Sequence, residues 1–317
     1  MTRDQLLAQL AGLRRARVAG RRAPHKPLLV LWLLGRFAAD GNTEVSYAEA
    51  EEPVSALIND FGPVVRSPSQ ARQRAAMPFV HLERTLWELR DDRGRPLDSD
   101  TPERGSVLRA RGARGRLRPE VELALAEPGA LAAAVRLLLE SHFTPSIEEL
   151  IGAAVGLDLT ELEVEAARLV AAGGGRRARH SGFAEVVLRA YAYACAMCGF
   201  DGALGRRPVG LEAAHIRWHS QQGPDLLTNG LALCALHHTL FDLGALGLTA
   251  EGRVRVSGLY VARSAAGRAT YELDGRPLAE PVPGQPGPGR AFVAWHSAQV
   301  FKSAEKDLEV TSGEPVG

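Results

Sequence analysis

Cysteine is scarce: the 317-residue chain has three. A disulfide framework needs an even and larger set, so the chain is expected to fold without one, in a reducing compartment such as the cytoplasm. Aromatic residues make up 6% of the chain and are not clustered, which disfavours an aromatic cage for a flipped base. No apolar run reaches the ~18 residues of a membrane span. The longest, from Pro27 to Ala39, is broken by Gly35 and Arg36, and the opening residues Met1-Thr-Arg-Asp-Gln-Leu-Leu7 lack the apolar centre of a signal peptide. Lysine is scarce too: arginine supplies nearly all of the 38 cationic side chains.

What is present is an ordinary globular composition, 45% hydrophobic and 24% charged, long enough for two domains with separate cores. The net charge of +1 conceals an uneven distribution. Residues 1–30 carry six arginines and one lysine against a single aspartate, and residues 66–118 carry 13 arginines against seven carboxylates. Residues 40–60 are acidic. Basic surface confined to one region suits a polyanion, because neutralised phosphates release counterions. An arginine-biased composition explains the same counts without a partner.

Local patterns imply an α+β protein, with a mainly helical first domain that includes a small strand element. Leu6, Leu7, Leu10 and Leu13 have helical spacing within Thr2–Arg17, and Pro27 lies at the start of an apolar helix over 28–38. Ser46 with Glu49 forms a capping box for a third helix, which Pro53 is expected to kink or divide. Residues 78–81 and 85–90 read as extended chain, and helices resume near 119–125 and 128–142. The expected organisation is a first domain over 1–145, a helical linker over 146–179 with a hinge at Gly173-Gly174-Gly175, and a second domain over 180–317. A helix is expected over 182–194, strands over 246–249 and 254–257, and a last helix over 291–303.

The second domain carries the sharpest signal. Cys195-Ala-Met-Cys198 and Cys234-Ala-Leu-His237 form two short pairs that use every cysteine of the chain. Three thiolates and one imidazole at this spacing suit tetrahedral zinc in a structural role. Between the pairs lies Glu212-Ala-Ala-His215-Ile216, then Asn229, while His238 directly follows the second pair. On a helix His237 and His238 point about 100° apart, so one can bind zinc while the other faces elsewhere. Asp242, four residues after His238, shares its face. His219 and His296 read as surface or core residues. A zinc deaminase is disfavoured, because no H-x-E precedes a P-C-x-x-C pair.

This segment resembles the ββα-metal motif of the HNH endonuclease family. The resemblance implies that His215 is the general base, that Asn229 holds the hairpin and orients His215, and that His238 binds catalytic Mg²⁺ or Mn²⁺, with Cys195, Cys198, Cys234 and His237 on structural Zn²⁺. Two positions depart from the common pattern. Ala214 stands where many members place an acidic metal ligand, which leaves Glu212 and Asp242 as oxygen donors to consider. His237 replaces the commoner cysteine, a harmless change for zinc.

The run His25-Lys26-Pro27-Leu-Leu-Val-Leu31, with Arg74 and Pro78-Phe79-Val80-His81 downstream, resembles the sulfur-binding domain of McrA-like type IV restriction endonucleases. That resemblance implies recognition of phosphorothioate-modified double-stranded DNA. Sulfur is larger and a poorer hydrogen-bond acceptor than oxygen, so a shallow apolar cup prefers it. Met77, Pro78, Phe79 and the stem of His81 are the expected cup, and Arg74, His25, Lys26, Arg22 and Arg66 the expected grip on the backbone. One nuclease site cuts one strand, so a homodimer is expected. The competing readings are an HNH nuclease directed by another mark, such as 5-methylcytosine, and a non-catalytic zinc-containing DNA-binding protein.

Overall fold

The computed structural model describes residues 1–13, 16–18, 21–65, 67–162, 164 and 181–303. The chain divides into two compact units, Met1–Arg176 and Arg177–Gly317. The expected hinge at 173–175 and Arg66 lie outside the described residues. No helix among the described residues is long and apolar enough to cross a membrane.

The first unit is built around one buried helix. Helix α1 (Arg3–Ala11) starts at a reciprocal capping box between Thr2 and Gln5. It stops at Gly12, short of the expected Arg17, because the chain turns into a hairpin of β1 (Ala16–Val18) and β2 (Arg21–Ala23). Arg22 lies in β2. Helix α2 (His25–Asp40) follows and is buried along most of its first eleven residues. Strand β3 (Val45–Ser46) leads into α3 (Tyr47–Phe61), where Ser46 and Glu49 complete the expected capping box. Pro53 sits inside α3 without dividing it.

Short helices α4 (Pro68–Arg72) and α5 (Ala76–His81) come next. The extended chain expected over 78–81 is therefore helix. A short apolar run fits either period, and Pro78 in the first turn costs no intrahelical bond there. Strand β4 (Trp87–Arg90), helix α6 (Gly105–Ala110) and strand β5 (Arg114–Leu117) complete an antiparallel sheet in the order β3-β5-β4. Helices α7 (Pro119–Leu125), α8 (Ala130–His142) and α9 (Pro145–Ala154) close the unit, with α8 against α1 and α2. The stretch expected to connect the domains from residue 146 starts within this packing: Ile147 and Ile151 are buried, and α9 rests on α3 and α8.

Phe79 is fully buried, with its ring edge-on to Tyr47 and Trp87 at 5.2 Å from each. Trp87 Nε1 also donates to the Phe79 carbonyl at 3.0 Å. Phe79→Ala should destabilise the first unit by about 3–5 kcal/mol, the usual cost of emptying a buried aromatic site. Chemical denaturation of the full chain, followed by fluorescence, checks this; a loss under ~1 kcal/mol would deny Phe79 its place in the core.

The second unit opens with α10 (Ser181–Ala190). It ends earlier than the expected residue 194, because Ala192 and Tyr193 adopt positive φ of 51° and 56° and turn the chain toward Cys195. A small exposed hairpin, β6 (Ala203–Leu204) and β7 (Arg207–Pro208), precedes the central hairpin. That central pair is β8 (Leu211–His215) and β9 (Gly230–Cys234), antiparallel with His215 opposite Gly230 and Leu211 opposite Cys234. Helix α11 (Ala235–Asp242) follows β9 directly. Strands β10 (Leu246–Leu248) and β11 (Val254–Val256) pair near their expected places, followed by α12 (Ala265–Arg268) and α13 (Arg290–Gln299). Val187, Ala214, Ile216, Leu231, Leu233, Phe241 and Val254 form the core between these elements. The class is α+β, as the sequence implies.

Candidate active site and metal centre

Cys195 and Cys198 lie in the turn after α10, Cys234 ends β9, and His237 sits on the first turn of α11. Their donor atoms all fall within 4.8 Å of one another. His237 Nδ1 stands 3.3 Å from Cys234 Sγ and 3.6 Å from Cys195 Sγ. Hydrogen bonds from Cys234 and then His237 draw the Cys195 thiol down to about 3, while Cys234 is pushed up by the same bond. Three sulfurs and one imidazole nitrogen converging this closely could hold a tetrahedral metal ion. The cluster ties α10, β9 and α11 together at one end of the central hairpin.

The hairpin also carries the remaining polar residues, Glu212 beside the cluster and His215 at the loop end. Successive strand residues face opposite sides, so Glu212 reaches α11 while His215 leans toward α10. His215 stacks on Phe183 with ring centroids 4.0 Å apart and planes 15° from parallel. Its Nε2 lies 2.8 Å from Asp225 Oδ1. Burial lowers the imidazole below its ordinary value, and Asp225 only partly restores it, so His215 is neutral near pH 7 and able to accept a proton.

Gly230 explains why Phe183 can stack there. A Cβ at Gly230 would meet Val187 Cγ2 at 2.4 Å and the Phe183 ring at 3.1 Å, so the close approach of α10 at this point of the hairpin requires glycine. Asn229 is completely buried just before it. Its Nδ2 donates to the carbonyls of Arg217 and Pro224, both at 3.0 Å, and its Oδ1 accepts from the Arg217 amide at 2.8 Å. Asn229 therefore cinches the loop between β8 and β9, and it bears on His215 through that loop. Gly223 permits the same fold: a Cβ there would lie 1.7 Å from the Arg217 carbonyl oxygen.

His238 is held on both sides. Nδ1 stands 2.6 Å from Glu212 Oε2, and Nε2 stands 3.0 Å from Asp242 Oδ2. Burial opposes the charged ring, but Asp242 and Glu212 outweigh it and raise His238 to about 9. Trp218 Nε1 donates to Asp242 Oδ1 at 2.8 Å, which links this group to the loop after His215. The structure thus brings Glu212, His238 and Asp242 together, with the two carboxylates on opposite ring nitrogens. Asp225, Phe183 and Trp218 complete the site without any spacing signal in the sequence. Of the two histidines set aside, His219 is exposed, 6.0 Å from the His215 ring, and His296 is buried against Phe241, where burial lowers it to about 4.

The residues expected to read DNA in the first unit are largely internal. Lys26 is buried and paired with Glu83 at 2.7 Å. Arg74 is buried; it donates to the Ile58 carbonyl and to Asn59 Oδ1 and lies 3.0 Å from His25 Nε2. Burial, then Arg74, lowers His25 to about 3, so it stands neutral and accepts from the guanidinium. Among the described residues, His25 Nδ1 and Arg74 Nε have no hydrogen-bond partner, and both are buried. Phe79 lies in the core and does not line a surface cup, because α5 turns it inward. Met77 is half-buried, Pro78 is buried, and His81 is half-exposed with Nε2 2.6 Å from Glu103.

Residues 3–160 match the family of ScoMcrA-like DNA sulfur-binding domains, and residues 195–249 match the HNH endonuclease family. The second match contains the Cys3His cluster, His215, Asn229, His238 and Asp242. Among solved structures, the sulfur-binding domain of ScoMcrA complexed with phosphorothioated DNA is 24% identical, covering 49% of this chain and 96% of that one with a TM-score of 0.38. The sulfur-binding domain of SprMcrA, also complexed with phosphorothioated DNA, is 22% identical over 51% and 97% with a TM-score of 0.40. The modification-dependent TagI restriction endonuclease is 24% identical over 43% and 44% with a TM-score of 0.30. A search of curated proteins gave no match. The chain therefore carries a ScoMcrA-like DNA sulfur-binding domain followed by an HNH endonuclease domain.

Proposed function

We propose that the enzyme recognises phosphorothioate groups in duplex DNA through its first domain and hydrolyses phosphodiester bonds nearby at His215. The observation that carries the cutting half is the pairing of a neutral, stacked His215 with a carboxylate, inside the segment that matches HNH endonucleases. His215 takes a proton from water as the water oxygen bonds to phosphorus and the bond to the 3′ oxygen breaks. Asn229 holds the loop that sets the ring's surroundings.

A divalent cation, Mg²⁺ or Mn²⁺, would supply charge stabilisation at the phosphate and the leaving oxygen. The donor set fits such an ion once His238 gives up a proton to it: the neutral ring would offer nitrogen, and Glu212 and Asp242 carboxylate oxygen. Since the two carboxylates occupy opposite ring nitrogens, one cation would take His238 with one of them and leave the other to orient the ring. The Cys3His cluster fits zinc by its sulfur-rich, four-donor composition, in a structural role.

For the sulfur, the reading is supported by the family match over 3–160. Met77, Pro78 and the His81 stem are the apolar lining we retain. His25, Lys26 and Arg74 shape the wall behind it and reach DNA only by exchanging their internal bonds; Arg22 and Arg66 stay in the proposal as backbone contacts. Because one site cuts one strand, a double-strand break requires two chains, as a homodimer or as two molecules meeting on one target.

The test is incubation of the purified protein with Mn²⁺ and two matched duplexes, one of them phosphorothioated. Cutting of the modified duplex alone is expected. Equal cutting of both, or cutting of neither while zinc is bound, would remove sulfur as the mark and leave an HNH nuclease directed by another one, with methylated DNA as the next substrate.

A further inference from the structure

The loop between β8 and β9 brings a carboxylate to His215 from ten residues downstream. Asp225 Oδ1 lies 2.8 Å from Nε2, and an ionised carboxylate only accepts hydrogen bonds. Nε2 must then carry the ring proton, which leaves the lone pair on Nδ1. The ring cannot easily turn away, because Phe183 stacks flat against it. Asp225 is equally constrained. The carbonyl before it, on Pro224, accepts from Asn229 Nδ2 at 3.0 Å and from the Leu226 amide at 2.9 Å. The Asn229 amide in turn donates to the Leu226 carbonyl at 2.8 Å. A buried side chain thus fixes the backbone on which the carboxylate stands. Both side chains keep some exposure, 21% for His215 and 31% for Asp225, so water reaches the pair.

We infer that Asp225 is a positioning residue for strand cutting, holding His215 as the Nε2–H tautomer with Nδ1 directed to the attacking water. The inference rests on the reading of His215 as the base. It gives the absent acidic residue at position 214 a context: the carboxylate nearest the base comes from the loop and serves the imidazole. The charged and titratable groups acting on the ring are Asp225 and His219 from the loop and Asp242 from α11. Asp225 and Asp242 favour the protonated ring, while burial and His219 oppose it. Removing Asp225 therefore lowers the imidazole further, so the rising limb of the cutting profile moves to lower pH while the base at the plateau weakens.

Two measurements test this. In protein with ¹⁵N-labelled histidine, His215, assigned by loss of its signal in His215→Gln, should show the Nε2–H tautomer, and Asp225→Ala should turn it into a mixture. In cutting assays on phosphorothioated duplex, Asp225→Ala should lower the plateau rate by about 10- to 100-fold, part of the roughly 10²- to 10⁴-fold that a whole general base supplies. Its acid limb should shift to lower pH with DNA binding unchanged. Asp225→Asn keeps an acceptor oxygen without the charge, so it should recover the tautomer and much of the plateau rate but retain the shifted limb. An Nδ1–H tautomer in the unmodified protein would overturn the inference. So would an unmoved limb in Asp225→Ala, or equal losses in both variants together with lower thermal stability. A parent enzyme that cuts neither the phosphorothioated nor a methylated duplex would instead refute the nuclease reading, a result separable from the tautomer seen by NMR.

Discussion

His215→Ala should abolish strand cutting while phosphorothioated DNA still binds with its original affinity. In the proposed function the imidazole at the end of β8 takes the proton from water, and a base of this kind contributes about 10²- to 10⁴-fold to the rate. Its removal should not disturb the fold. The side chain is partly exposed, and its ring hydrogen-bonds to the loop carboxylate of Asp225. The loop itself is held by Asn229, which makes three bonds of its own to Arg217 and Pro224. Gel shift and cleavage on the same duplex separate the two outcomes. A variant that binds and still cuts at the parent rate would deny His215 the role of base, and a parent that binds but cuts no marked duplex would return the chain to the non-catalytic DNA-binding alternative.

Cys234→Ser should unfold the second unit without unfolding the first. Cys234 stands at the junction of β9 and α11, opposite Leu211 in the register, and its sulfur shares His237 Nδ1 with Cys195. A structural zinc site contributes on the order of 10 kcal/mol to folding. A typical domain has only about 5–15 kcal/mol in total, so loss of the ion exceeds what most domains can spare. Chelation of the parent protein should produce the same change. Calorimetry should show two transitions in the parent, with the one belonging to the nuclease unit lost in the variant and after chelation, and metal analysis should show one zinc per chain lost. An unchanged pair of transitions in metal-free protein would remove the structural role. Retention of a metal other than zinc would change the ion but keep the role.

Parts of this site were legible in the chain because they depend on short separations. Strand alternation brought Glu212 to the same side as Ala214, and helical spacing placed Asp242 beneath His238; the structure has both carboxylates on that ring. The capping boxes at Thr2–Gln5 and Ser46–Glu49 were equally local, although only the second was read from sequence. Other residues were misread for a common reason. The run at 76–81 is apolar and short, so its period did not separate helix from strand, and Phe79 went to the core when the segment folded as helix. Lys26 looked free to grip phosphate because Glu83, its partner, lies 57 positions away. Arg74 reads as a surface cation in the sequence but meets His25 across 49 positions and is buried.

The sequence by itself determined the four residues that could hold a metal ion. Cysteine and histidine in two close pairs have few other uses, and the geometry zinc demands is carried by the residue types themselves. It also determined the order of the two domains and the histidines available to them. Tertiary structure alone decided what each titratable group touches. Asp225 reaches His215 because Asn229 and Gly223 fold the loop back, and Phe183 holds the ring because Gly230 lets a helix approach. Protonation and reactivity follow from burial and from partners a few ångströms away, and those distances exist only after distant segments have packed.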